Sequence, residues 1–160
     1  MCAAFLADVM MRKAARWLRL LGQRVDVPES EEDAYLVGYA KAHDLILLTR
    51  DEELIERAKR HGVKAYFVRN IPNYKQVAEI VREFGLQINF PAEMFCPKCN
   101  GGFMEVGKTE ANGNVPARVY EAQENFWRCK QCGQFYWQGS HWKRIENEAE
   151  KIKNELAEKN

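Results

Sequence analysis

Cys96-Pro97-Lys98-Cys99 and Cys129-Lys130-Gln131-Cys132 form two CxxC pairs separated by a long insert. No other feature of the sequence constrains the fold as tightly. Two such pairs supply the four soft thiolates of a closed, tetrahedral Zn²⁺ site, so the chain between them has to loop out and return to the same point. Gly101-Gly102 and Gly133, just after the second cysteine of each pair, permit the tight knuckle turns through which backbone amides approach sulfur. A closed site of this kind leaves no open position for chemistry, which makes the zinc structural. Redox chemistry at a single CxxC is the alternative, and the position of the pairs away from the start of a βαβ unit counts against it. The insert is rich in β-formers and turn residues, so residues 91–142 read as a small zinc ribbon. Cys2 stands alone and reads as an incidental thiol.

The residues before the ribbon follow a different rule. Short apolar runs alternate with amphipathic stretches about four times within residues 1–90. Ala3–Ala7 predicts a strand, 11–21 a helix closed by Gly22, 24–27 a strand, 33–43 a helix, Ile46–Thr49 a strand, 52–61 a helix stopped by Gly62, 64–68 a strand and 74–84 a helix closed by Gly85. This order implies right-handed crossovers and a parallel sheet with helices on both faces. If the strand order is 2-1-3-4, the first and third strands are neighbours, with the topological switch point between them.

Asp8 and Asp51 follow those two strands and would face each other across the crevice where open α/β sheets bind ligands. Asp33, entering its helix at the same end of the sheet, completes a candidate three-acid site, with Glu31 and Glu32 close enough to take its place. Each acid has a simpler reading as a helix cap, since carboxylates in a first turn offset the positive end of the helix dipole. Three acids at carboxyl-edge positions are less easily explained as three caps. All five aspartates lie in the first third of the chain, and short hard carboxylates suit Mg²⁺ or Mn²⁺.

Arg12, Arg16 and Arg19 recur at i, i+4 and i+7 on the first helix, starting close to Asp8, and Arg50 precedes Asp51. The stripe reads either as a solvated helix face or as a track for phosphates, which guanidinium groups hold in bidentate fashion. The segment from Tyr120 to Trp142 is unusually aromatic. A ribbon this small needs large rings for its core, while any exposed ring offers a stacking surface for a base. His43, His61 and His141 have no ligand spacing, and no Ser-His or Cys-His pairing competes for the chemistry.

Charged residues make up 29% of the chain and nearly cancel to a net +1, so polyanion binding has to come from a local patch. No stretch approaches the roughly 20 apolar residues of a membrane span, and no signal peptide is evident, so a soluble, cytoplasmic protein is expected. Residues 143–160 read as a charged helix, and with Trp142 before it the apolar seam Trp142, Ile145, Ala149, Ile152 and Leu156 should dock on the body or on a partner helix.

Several of these motifs occur together in a known family. Phe5-Leu6-Ala7-Asp8 with Ala15-Arg16-Trp17-Leu18-Arg19, Leu47-Leu48-Thr49-Arg50-Asp51, and Phe126-Trp127-Arg128-Cys129 with Gly139-Ser140-His141-Trp142 resemble the Mut-seven C-terminal RNase family, a PIN-like nuclease domain followed by a zinc ribbon. The resemblance covers most of the chain, and departs from the family's usual glycine after the first acid, where Met10-Met11-Arg12 stands. It implies a metal-dependent ribonuclease in which Asp8, Asp33 and Asp51 bind one or two Mg²⁺ or Mn²⁺ ions, with Glu53 beyond them and RNA as substrate. The alternative is a non-catalytic RNA- or ribosome-binding adaptor with a vestigial acidic site.

Overall fold

The computed structural model describes residues 4–158. Cys2 and the last two residues of the expected tail helix lie outside them. Among the described residues seven strands form two sheets, accompanied by seven α-helices. The first sheet contains β1 (Phe5–Ala7), β2 (Val25–Asp26), β3 (Ile46–Thr49) and β4 (Ala65–Phe67), all parallel, in the order β2-β1-β3-β4. The expected switch point is therefore present, between β1 and β3. Their register pairs Phe5 with Ile46 and Ala7 with Leu48, and the Asp8 amide donates to the Leu48 carbonyl at 3.1 Å.

Because strand side chains alternate faces, each central strand feeds two cores. Phe5, Ala7 and Leu48 point to the layer formed by α1 (Arg12–Leu20) and α4 (Asn73–Glu83), where Leu18, Val77 and Ile80 are buried with them. Leu6 and Leu47 point to the opposite layer, formed by α2 (Asp33–Ala42) and α3 (Glu52–Arg60) through Leu36, Val37, Leu54 and Ala58. Complete burial of each large aliphatic side chain contributes about 1.5–3 kcal/mol, which explains why such short strands hold. The first helix stops where the sequence directs: Gly22 adopts φ +87°, and the Gln23 amide reaches back to the Leu18 carbonyl at 2.9 Å in a left-handed C-terminal cap.

The second sheet is antiparallel, β5 (Phe103–Val106), β6 (Phe126–Cys129) and β7 (Phe135–Tyr136), in the order β5-β6-β7. The insert that composition marks as rich in β-formers instead carries two short helices, α5 (Lys108–Ala111) and α6 (Ala117–Ala122). They form because Ala111, Val119 and Tyr120 cover Phe126, which a three-stranded ribbon cannot bury by itself. The last helix, α7 (Ser140–Glu158), settles the question of its apolar seam: Ala149 and Ile152 are buried, and Trp142, Ile145 and Leu156 pack on the α1/α4 core. No helix among the described residues is long and apolar enough to cross a membrane.

One expectation fails. Arg19 is not part of an exposed stripe; it is 6% exposed, with Nε donating to the Val25 carbonyl at 2.8 Å and Nη1 to the Pro97 carbonyl at 2.9 Å. Arg19 lies in the last turn of α1, where the helix end meets β2 and the first knuckle, and two carbonyls and the Phe95 amide, which donates to the Arg19 carbonyl at 2.8 Å, enclose it. Arg19 therefore fastens α1 to β2 and to the first cysteine knuckle. Replacement Arg19→Ala leaves two carbonyls without donors and should cost about 1–3 kcal/mol, read as a lower urea midpoint for unfolding.

Candidate active site

Asp8 is the first residue beyond β1 and caps a single 3-10 turn, Val9–Met11, accepting the Met10 amide on Oδ1 at 2.9 Å. Its Oδ2 accepts the hydroxyl of Thr49. Thr49 ends β3, is fully buried, and its Oγ1 accepts the amide of Asp51 at 3.0 Å. A hydroxyl has one proton to give, so here it donates to Asp8 and accepts from Asp51, joining the two strand ends. Asp51 does cap α3, as the simpler reading has it, with Oδ1 accepting the amides of Glu53 and Leu54 at 2.9 and 3.2 Å. That uses one oxygen. Oδ2 takes no donor from the described residues.

The electrostatics of this pair are unbalanced. Burial raises the Asp8 pKa above its ordinary value, hydrogen bonds from Thr49 and the amides of Met10 and Met11 pull it down, and the nearby charge of Asp51 raises it again. Among the described residues no lysine or arginine is ion-paired with either carboxylate. Two hard carboxylates with free lone pairs, repelling one another at a sheet edge, fit a divalent cation.

Asp33 is placed differently. It is the first residue of α2, half-buried, its carboxylate without a hydrogen bond among the described residues, after Glu32, whose side chain makes no cap. The helix packs on β1, β3 and α3, so its N-terminus opens at the carboxyl edge of the sheet. Among the described residues no hydrogen bond joins Asp33 to Asp8 or Asp51. Glu31, Glu32 and Glu53 are exposed. Arg12 and Arg16 are exposed on α1, and Arg50 is half-buried between Thr49 and Asp51.

The second centre is built from Cys96, Cys99, Cys129 and Cys132, all of whose sulfurs lie within 4.8 Å of one another. Cys99 to Cys129 is 3.4 Å and Cys96 to Cys132 is 3.8 Å. Four thiolates around a Zn²⁺ at about 2.3 Å stand about 3.7 Å apart, so the donor set fits zinc in both softness and size. Desolvation raises the Cys129 thiol, but the amides of Cys132 and Gln131 aimed at its sulfur outweigh it and bring the pKa down to about 7. The Tyr136 hydroxyl lies 3.0 Å from Cys96 Sγ. No local pattern in the chain points to this contact, nor to Asn100, whose side chain bonds the Val25 amide and Asp26, both at 3.2 Å, and so docks the knuckle on the edge of β2.

The chain matches the family model of the Mut7-C RNAse domain over residues 3–149. It belongs to this family. No match is found among curated proteins or solved structures. The match spans both centres of this Mut7-C chain, the carboxylate pair and the cysteine cluster, and the family carries a nuclease or RNA-related role. The zinc centre can be tested apart from that role. A Cβ on Gly101 would stand 2.7 Å from Cys129 Sγ and 2.8 Å from Gln131 Cβ, inside any real contact. Gly101→Ala should therefore lower zinc affinity by at least about tenfold, measured by competition with a chromogenic chelator, as loss of ligand support typically does.

Proposed function

We propose that this Mut7-C domain is a PIN-like ribonuclease that depends on a divalent metal and hydrolyses RNA phosphodiester bonds, with the four-cysteine ribbon contributing to RNA binding. One observation carries the reading: the buried Asp8 and the α3-capping Asp51, on adjacent strands at the carboxyl edge, share Thr49. A Mg²⁺ or Mn²⁺ ion held by Asp8 and Asp51, and by Asp33 from the α2 N-terminus, would activate water for in-line attack and neutralise charge at phosphorus.

The chain's own residues do the positioning. Thr49 fixes the orientation of Asp8 and spaces it from Asp51, while the α3 amides hold Asp51 by one oxygen and leave the other free. Arg12 and Arg16, exposed on α1, and Arg50, which precedes Asp51, are the guanidinium groups suited to hold the phosphates of a bound strand. Arg19, committed to two carbonyls, takes no part. Glu53 stands exposed in the first turn of α3, two residues after Asp51.

A second reading, an RNA-binding adaptor, draws on Asp33, which no hydrogen bond joins to the other two acids among the described residues. Mn²⁺-dependent cleavage of single-stranded RNA separates the two. Thr49→Val, which removes the bridge, should slow cleavage by about 10–100-fold, the usual cost of losing a partner that orients a metal ligand. Asp8→Asn and Asp51→Asn should slow it further while retaining zinc and native circular dichroism. Unchanged cleavage in both aspartate variants would refute the hydrolase. Salt-sensitive RNA binding with no turnover in the unmodified protein would establish the adaptor.

A further inference from the structure

Between the ribbon and the parallel-sheet layer lies a groove of about 600 Å³, within the range of ligand-binding pockets. Its ribbon wall is a single face of the second sheet. Glu105, Trp127 and Tyr136 are direct cross-strand partners, and Phe103, two residues before Glu105, shares their side. Phe126 and Val106, one step away, turn to the opposite face and form the ribbon's own core. The rings therefore divide: Phe126 packs inward, Phe103, Trp127 and Tyr136 line an open groove, and Trp137 and Trp142 border that groove while also packing on the ribbon core and the α1/α4 core respectively. Trp127 and Trp137 are half-buried, and their indole N–H groups have no hydrogen-bond partner among the described residues.

The opposite wall is made by residues 91–95, by the start of α7 and by α1, which contributes Arg16 and Leu20. Arg16 is the informative residue, because it belongs to two features at once. It lines the groove, and it lies one helical turn beyond Arg12, on the same face of α1, about 6 Å along the axis. From Asp8 to Arg16 the chain rises about 12–13 Å through the 3-10 turn and the helix. The aromatic groove is thus continuous, along one basic helix face, with the carboxylate pair. Inside it, Glu93 and Glu105 would repel a phosphate but not a base.

We propose that this groove is a base-stacking subsite for a single-stranded segment of the RNA whose backbone crosses α1 on Arg12 and Arg16. The proposal rests on the RNA-directed reading of the family site, yet it concerns binding and not hydrolysis. Three of the chain's four tryptophans, Trp127, Trp137 and Trp142, line the groove, and the fourth, Trp17, packs on the α1/α4 core, so intrinsic fluorescence reports on the groove.

The test titrates the zinc-loaded full chain, without Mg²⁺ or Mn²⁺, with a single-stranded oligoribonucleotide and with the matching duplex. Single strands should quench tryptophan fluorescence and duplex should not. Trp137→Ala should weaken single-strand affinity at least about fivefold, and Trp137→Phe should restore it, as expected for stacking. Arg16→Ala should instead flatten the salt dependence. RNA binding with no quenching, wild-type affinity in Trp137→Ala with its zinc retained, or quenching by an apolar peptide in place of RNA would each overturn the proposal. If quenching and the Trp137 effect appear without Mn²⁺-dependent cleavage, the subsite stands and the hydrolase reading falls. Cleavage with no Trp137 effect on binding gives the reverse.

Discussion

The hydroxyl of Thr49 holds the working edge of this protein together. Parallel strands deliver their ends to the same edge of a sheet, but delivery alone leaves two like charges to repel each other. Thr49 answers this with one side chain, donating to the Asp8 carboxylate and accepting the Asp51 amide, fully buried at the end of β3. The β1–β3 register sets the geometry, because the Asp8 amide continues the ladder onto Leu48 and brings its carboxylate level with Thr49. A slip of one residue would turn Leu6, Leu47 and Thr49 to the wrong faces.

A second set of contacts ties the ribbon to that sheet. β2 has only two residues and would be a weak edge. Arg19 and Asn100 occupy its exposed carbonyl and amide at Val25, and both belong to the junction with the first cysteine knuckle. Asp26 is committed to the same junction, through Asn100 and through Tyr39, whose hydroxyl donates to it at 3.1 Å. Zinc held by the four cysteines would therefore act beyond its own ribbon: by fixing the knuckle it would fix the edge of the parallel sheet and one wall of the aromatic groove.

Much of this was legible in the sequence because hydrophobic patterning and ligand spacing are local signals. The Phe5–Ala7 and Ile46–Thr49 runs, Gly22 after the first helix and the two CxxC pairs each announce their structure within a few residues. What sequence periodicity could not supply was direction in space. Arg12, Arg16 and Arg19 look equivalent by spacing, yet the packing of α1 on β2 buries the third and leaves the first two in solvent. The helices α5 and α6 escaped notice because, at four and six residues, they are too short to show an amphipathic period. The aromatics were ambiguous for a similar reason, since only the ribbon's register separates Phe126, in the core, from Trp127, on the groove.

Two carboxylates brought together at a switch point are a metal site only if an ion enters it. A crystal soaked in Mn²⁺ and measured at the manganese absorption edge decides this directly. An anomalous peak coordinated by Asp8 and the free oxygen of Asp51, with Asp33 drawn in directly or through water, is the predicted result. No peak at that edge of the sheet, at a Mn²⁺ concentration that supports RNA cleavage in solution, would contradict the account.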